Sequence, residues 1–151
     1  MRELTLAEID TLMKEGIAYC QSAGRPSSIA VVDMGGNLRG VLRPEKGRIA
    51  NVDIAYKKAW TAVAFQRPTE MVRPVMLPGA LGYGLTHTDE RICIVSGGFP
   101  IMDEDGDMIG GIGVSGGSID EDCEGCLVGM RKLGFPTEFE NPLAGVKMTE
   151  D

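Results

Sequence analysis

Imidazole is scarce in this chain. His87 is the single histidine among 151 residues, so any mechanism that needs an imidazole base or a histidine ligand must use it. There is no second histidine for a metal triad, no His-Glu-x-x-His pair and no Gly-x-Ser-x-Gly elbow, which removes the common zinc hydrolases and α/β-hydrolases. Basic charge is also short. Fifteen lysines and arginines face 22 aspartates and glutamates, for a net charge of −7. Without a basic patch there is nothing to release counterions from a nucleic acid, and an acidic surface discourages binding to anionic membranes. Long apolar runs are missing too. None approaches the roughly 20 residues of a membrane span, and the first four residues lead into a helical pattern with no apolar signal core. The expected location is cytoplasmic. Of the four cysteines, Cys20 and Cys93 fall in helix and strand patterns as small hydrophobes, and a reducing compartment makes free thiols the expectation.

What is present reads as one domain with an ordinary balance of 43% hydrophobic and 25% charged residues. Thr5-Leu6-Ala7-Glu8 has capping-box form. Leu6, Ile9, Met13, Ile17 and Cys20 then recur at helical spacing until Gly24 and Pro26 stop them. Residues 28–33 predict a short strand, Met34-Gly35-Gly36-Asn37 a turn, and residues 38–43 a returning strand. After a polar loop at 44–47 the spacing predicts a second helix from about Asn51 to Phe65. Ala55, Ala59 and Ala62 form a small-residue stripe on it, suited to close approach to a sheet or to another copy of the chain. Thr69 is expected to cap a short turn that Pro74 ends. Residues 75–84 (VMLPGALGYG) are apolar but rich in turn formers, as in a flap or interface loop.

Strand signals return at residues 91–96 and 99–102, with a bulge or bend at Gly97-Gly98. Residues 103–106 predict a hairpin turn and 108–115 a last strand. A third helix is expected from about Asp120, carrying Leu127, Met130 and Leu133 and stopping at Gly134. The pattern implies an α+β fold, a single-domain antiparallel sheet flanked by helices, spanning residues 1–134. Residues 135–151 form a tail, extended or packed on a neighbouring subunit.

The stretch from Ser96 to Cys126, in which eight of the 21 glycines fall between Gly97 and Gly117, reads as the floor and rim of a ligand pocket, with Gly98, Ser115, Gly116 and Gly117 lining it. Its Gly-rich run lacks the Gly-Lys-Ser/Thr ending of a P-loop and lies in a predicted antiparallel strand. A Ser-Gly-Gly turn feeding a helix N-terminus suits a carboxylate or similar anion. Either a ligand supplies that anion, or Asp120 or Asp122 supplies it as an N-cap. Cys123-Glu124-Gly125-Cys126 is a C-x-x-C at a helix start, but acidic neighbours raise its thiols and no second C-x-x-C completes a zinc site. The expectation is no metal. Candidate acid–base groups are His87 and Asp122, and candidate cations for a carboxylated ligand are Arg43, Lys57 and Lys58.

The blocks from Asn51 to Ala62 (NVDIAYKKAWTA), from Gly97 to Ile101 (GGFPI) and from Gly110 to Gly116 (GGIGVSG) resemble the GlcG/HbpS family, which includes the C-terminal domain of PduO-type proteins. An Asp-x-x-Gly-Asn hairpin, Asp33 to Asn37, precedes them. The resemblance implies a profilin-like α-β-α arrangement, assembly into dimers or larger homo-oligomers, and haem as cofactor. The family's Lys-Ala pair falls on Lys58-Ala59, and its Ser-Gly-x(5)-Asp pattern on Ser115, Gly116 and Asp122. The family's Arg-Met-Asp-Gly-Ala is replaced by Arg43-Pro44-Glu45-Lys46-Gly47, and the C-x-x-C and the long tail also depart from it. Three functions stay open: a haem- or small-ligand-binding protein, with His87 or a methionine, cysteine, lysine or hydroxyl as axial ligand; an isomerase, hydratase or lyase for a small carboxylated metabolite; and an oligomeric assembly module.

Overall fold

In the computed structural model, which describes residues 2–150, helix α1 (Leu6–Ser22) starts on a complete capping box. The Glu8 N–H donates to Thr5 Oγ1 at 3.1 Å, and the Thr5 N–H donates to Glu8 Oε1 at 2.9 Å. Its buried face carries Ile9, Leu12, Gly16 and Cys20. Leu6, expected on that face, is 77% exposed because it is the first helical residue and precedes the covered turns.

Strands β1 (Ser28–Asp33) and β2 (Leu38–Leu42) pair antiparallel, with β2 ending one residue before Arg43. Helix α2 (Ile49–Phe65) begins two residues ahead of Asn51, and Gln66, left-handed at φ 56°, ends it. The short turn expected at Thr69 is a full helix, α3 (Thr69–Met76), with Pro74 inside it. Proline removes one donor there, but the carbonyl it frees belongs to Glu70, an exposed residue. A single 3-10 turn, Leu85–His87, follows the flap.

No strand forms at residues 91–96. The Thr61 hydroxyl on α2 accepts from the Cys93 N–H at 2.8 Å and donates to Arg91 O at 3.1 Å, so a helix side chain takes backbone groups that a sheet neighbour would otherwise hold. Sheet structure resumes with β3 (Gly98–Met102) and β4 (Met108–Ser115). Helix α4 (Ile119–Lys132) is capped by Ser118, whose hydroxyl accepts from the Glu121 N–H while Glu121 closes a second capping box. The N-cap is therefore Ser118, not Asp120 or Asp122.

The four strands form one antiparallel sheet in the order β2-β1-β4-β3. Both hairpins turn in the same way. Asp33 Oδ1 accepts from the N–H groups of Gly35 and Asn37, and Asp103 Oδ1 accepts from those of Asp105 and Asp107, all at 2.9 Å. These are Asx turns, in which a short carboxylate replaces backbone acceptors.

Ile29, Val31, Ile112 and Val114 project to one face and pack with Leu12 of α1 and Met130 of α4. Each fully buried aliphatic side chain of this kind contributes about 1.5–3 kcal/mol, so most apolar burial lies on this side. The opposite face is built for proximity. A Cβ on Gly111 would sit 2.8 Å from Ala59 O, and one on Gly113 would run into Ala55 O. Helix α2 thus lies directly on β4, and its alanine stripe is spent on the chain's own sheet. The mostly exposed tail after Gly134 touches the rest of the chain at a few positions, Phe135, Phe139, Leu143 and Met148 among them. Phe139 lies against Phe99, with ring centroids 6.1 Å apart, and the Leu81 N–H donates to Met148 O at 2.7 Å. Among the described residues no helix is long and apolar enough to cross a membrane.

Candidate functional site

Lys58 stands on the buried face of α2 between Ala55 and Ala59, and it is 1% exposed. Its stem crosses the end of the sheet where β3 begins. There Nζ donates to Val114 O at 2.8 Å and to Asp122 Oδ2 on α4 at 3.0 Å. The other carboxylate oxygen accepts from the Gly117 N–H at 2.9 Å. One ion pair therefore joins the two helical layers through the sheet. Gly97 makes the crossing possible, since a Cβ there would stand 3.0 Å from both Lys58 Nζ and Asp122 Cβ, and its φ of 117° is a glycine conformation. Burial pushes the Asp122 carboxyl upward, and the adjacent ammonium pulls it back. Breaking such a pair leaves a buried charge alone, so its members are costly to change singly.

The turn into α4 uses the anion that belongs to the chain. Asp122 occupies the Gly117 N–H, and Ser118 and Glu121 satisfy the remaining start of the helix. Ser115, the last residue of β4, donates at 3.5 Å to Asn51 Oδ1 on α2. Beside it the hydroxyls of Ser27 and Ser28 are buried with no hydrogen-bond partner among the described residues. Gly98 opens β3, its N–H donating to Thr69 Oγ1 at 3.1 Å while its Cα faces the Lys58 carbonyl. The structure so gathers Lys58, Gly98, Gly117 and Asp122, with Ser115 and Gly116 adjoining. Lys58, Gly98, Ser115 and Asp122 are buried, packed between layers, where an open pocket floor was expected.

Arg43 and His87 lie elsewhere. Arg43 is exposed just beyond β2, beside Gly47. His87 is exposed at the end of the 3-10 turn, on an open depression of about 510 Å³ whose rim runs from His87 to Arg91. Arg91 holds Asp89 with two contacts, at 2.9 and 2.7 Å, which lowers that carboxyl to about 2. The same guanidinium lies 4.2 Å from the Trp60 ring centre, a cation–π contact that anchors the depression to α2. The flap that precedes the 3-10 turn exposes Leu81 and Tyr83, each at 60%.

The C-x-x-C carries no activated thiolate. Burial pushes Cys123 to about 11 and Cys126 well above its usual value. Cys126 Sγ donates to Gly97 O at 3.2 Å, a structural use. Among the described residues no group of three or more His, Cys, Asp or Glu side chains could hold a metal. The sequence marks none of Asn51, Thr61, Thr69, Ser27 and Ser28 as a site residue, although it places Asn51 at a helix start and Thr69 at the cap of a short turn. Their signal was a polar side chain at the margin of an apolar pattern, which by itself is common.

Residues 4–130 match the family model described as haem degrading protein HbpS-like. The chain is 32% identical over 122 residues to corrinoid adenosyltransferase PduO of Salmonella typhimurium, an alignment covering 80% of this chain and 36% of that protein. The chain thus spans about a third of that relative's length. Among solved structures, a PduOC:heme complex superposes with a TM-score of 0.86 at 28% identity, covering 91% of this chain and 100% of that one. A double mutant of HbpS from Streptomyces reticuli superposes with a TM-score of 0.77 at 29% identity, covering 89% of each chain.

Proposed function

The chain belongs to the HbpS-like family, and from that premise we propose that it binds haem or a related small ligand on the face formed by the flap and the 3-10 turn, with His87 as the axial ligand. The observation that carries this reading is the placement of the chain's one imidazole. It is exposed in an open depression of about 510 Å³, within the size range of ligand pockets, and it follows in sequence a flap that exposes Leu81 and Tyr83. Of the residues there, the imidazole is the one that fits the group. An imidazole suits haem iron; the other lining residues, Thr88, Asp89, Glu90 and Arg91, are polar and Arg91 already holds Asp89, so the apolar surface for the macrocycle would have to come from the flap or from a second copy. Haem bound there would supply iron chemistry, while this chain would hold, orient and shield it. Lys58 and Asp122 serve as scaffold, because their polar atoms hold each other and the backbone. In a homo-oligomer a second copy would cover the flap's apolar side chains and bury the ligand further.

The test is a haem titration followed by absorbance, with size exclusion in parallel. The expected result is a saturable Soret shift in the wild type and a different, weaker spectrum in His87→Ala. Adsorption that never saturates would end the haem reading. A saturable spectrum identical in His87→Ala would keep haem binding but remove His87 as ligand.

A further inference from the structure

Helix α3 buries Val72 and Met76, at 2% and 3% exposure. Neither belongs to the apolar clusters on the two faces of the sheet. They line a separate cavity of about 160 Å³ with Phe65, Val75, Leu85 and Leu143. Four segments converge on it: the end of α2, the helix α3, the 3-10 turn and the tail. Backbone bonds tie the neighbouring flap to α3 and to the tail, with the Gly82 N–H donating to Val75 O at 2.9 Å and the Leu81 N–H donating to Met148 O at 2.7 Å.

One charged group enters this apolar lining. Arg67 is half-buried at its mouth, and its Nε donates to Phe65 O at 3.1 Å. Among the described residues no carboxylate pairs with its terminal nitrogens. This sets it apart from Arg2, Arg25, Arg91 and Arg131, each of which holds an aspartate or glutamate. A guanidinium with its fork free, in a chain carrying a net charge of −7, is complementary to a planar carboxylate. The volume sets the rest of the ligand. At about 160 Å³ the cavity lies well below the roughly 300–1,000 Å³ of drug-sized sites, so it has room for a short aliphatic tail and no more.

We propose that this cavity is a binding site for a small monocarboxylic acid with a short alkyl tail, its carboxylate held by Arg67 and its tail seated among Val72, Val75 and Met76. The site is separate from the His87 face and stands or falls independently of haem. Because its walls include the flap and the tail, an occupant ties these segments to α3, and the amides of Leu81 and Gly82 exchange more slowly when it is filled.

The experiment titrates the full chain with pentanoate and, separately, with pentanamide, a neutral mimic of similar shape. Binding is followed by the Met76 methyl resonance and by hydrogen exchange at Leu81 and Gly82. The expected result is a saturable Met76 shift with millimolar pentanoate, slowed exchange at both amides, and pentanamide about tenfold weaker, the worth of one charge-assisted contact. Arg67→Gln should lower pentanoate to the level of the amide, and Arg67→Lys should fall between. Equal binding of acid and amide, or no change at Met76, overturns the proposal. The acid–amide contrast needs no variant, so it decides the matter even if Arg67→Gln folds poorly. The titration contains no haem and reads the acid–amide contrast alone, which keeps this outcome apart from that of the haem titration.

Discussion

From Gly110 to Gly113 the chain places three glycines on β4, and from Gly79 to Gly84 it places three in the flap. On β4 every one of them sits under something: Leu4 over Gly110, Ala59 O over Gly111 and Ala55 O over Gly113. In the flap, Gly79 and Gly84 have φ of 86° and 104°, with nothing within 4 Å of where a Cβ would stand. Gly82 between them is crowded by Val75, as the β4 glycines are by their neighbours, so β4 uses its glycines for space while Gly79 and Gly84 supply backbone conformation. Around the first set, changes are costly, because helix α2, the Lys58–Asp122 pair and the sheet have no free room. Around the second the chain exposes Leu81, Tyr83 and its single histidine. Stability is concentrated at the centre, and the chemistry available to a ligand is concentrated at the flap.

The sharpest way to break this comparison is to remove one member of the buried pair. Lys58→Met and Asp122→Leu each leave an unpaired charge in an interior where both partners are almost fully covered. Each should lower unfolding free energy by about 3–5 kcal/mol, while the double variant recovers most of the loss because apolar replacement of a buried pair is often neutral. Urea denaturation measures all three. Single variants within about 1 kcal/mol of the wild type would show that water or a shifted helix rescues the orphaned charge, and the centre would not be rigid.

A smaller difference separates the two kinds of glycine. Gly113→Ala forces a methyl group against the Ala55 carbonyl and should cost about 3 kcal/mol, at the upper end of overpacking. Gly79→Ala meets no atom and bears only the strain of a positive φ, about 1 kcal/mol. Equal losses would mean that α2 moves aside easily and that the glycines of β4 are not there for proximity.

The outline of the fold was legible because its signals are local. Thr5 and Glu8 stand three residues apart, and Asp33 and Asp103 each build a turn from their own carboxylate within four residues. The errors arise where a distant group intervenes. Residues 91–96 have the composition of a strand, but Thr61, 30 and 32 residues back, takes their backbone groups. Lys58 and Asp122 were each visible as polar residues in patterned segments, yet their bond spans 64 positions and no periodicity reports it. Arg67 drew no notice, since its setting exists only once Leu85 and Leu143 arrive from two other segments.

The centre should also differ from the flap in its response to alkaline pH. Burial raises Cys20, Cys123 and Cys126 above an ordinary thiol value of 9.0, Cys123 to about 11. Between those limits the unfolded chain gives up thiol protons that the folded chain keeps, so unfolding releases protons and stability falls as pH rises. Below about 9 the contribution of these groups is constant, and above about 11 Cys123 is ionised in both states and its share of the slope ends. Cys123→Ser removes one titrating group from the half-buried face of α4 with little change in volume. Its urea midpoint should fall less than that of the wild type between pH 9 and 11, while the two proteins keep parallel midpoints at neutral pH. If both lose stability equally across that window, the alkaline sensitivity comes from groups other than the thiol on α4.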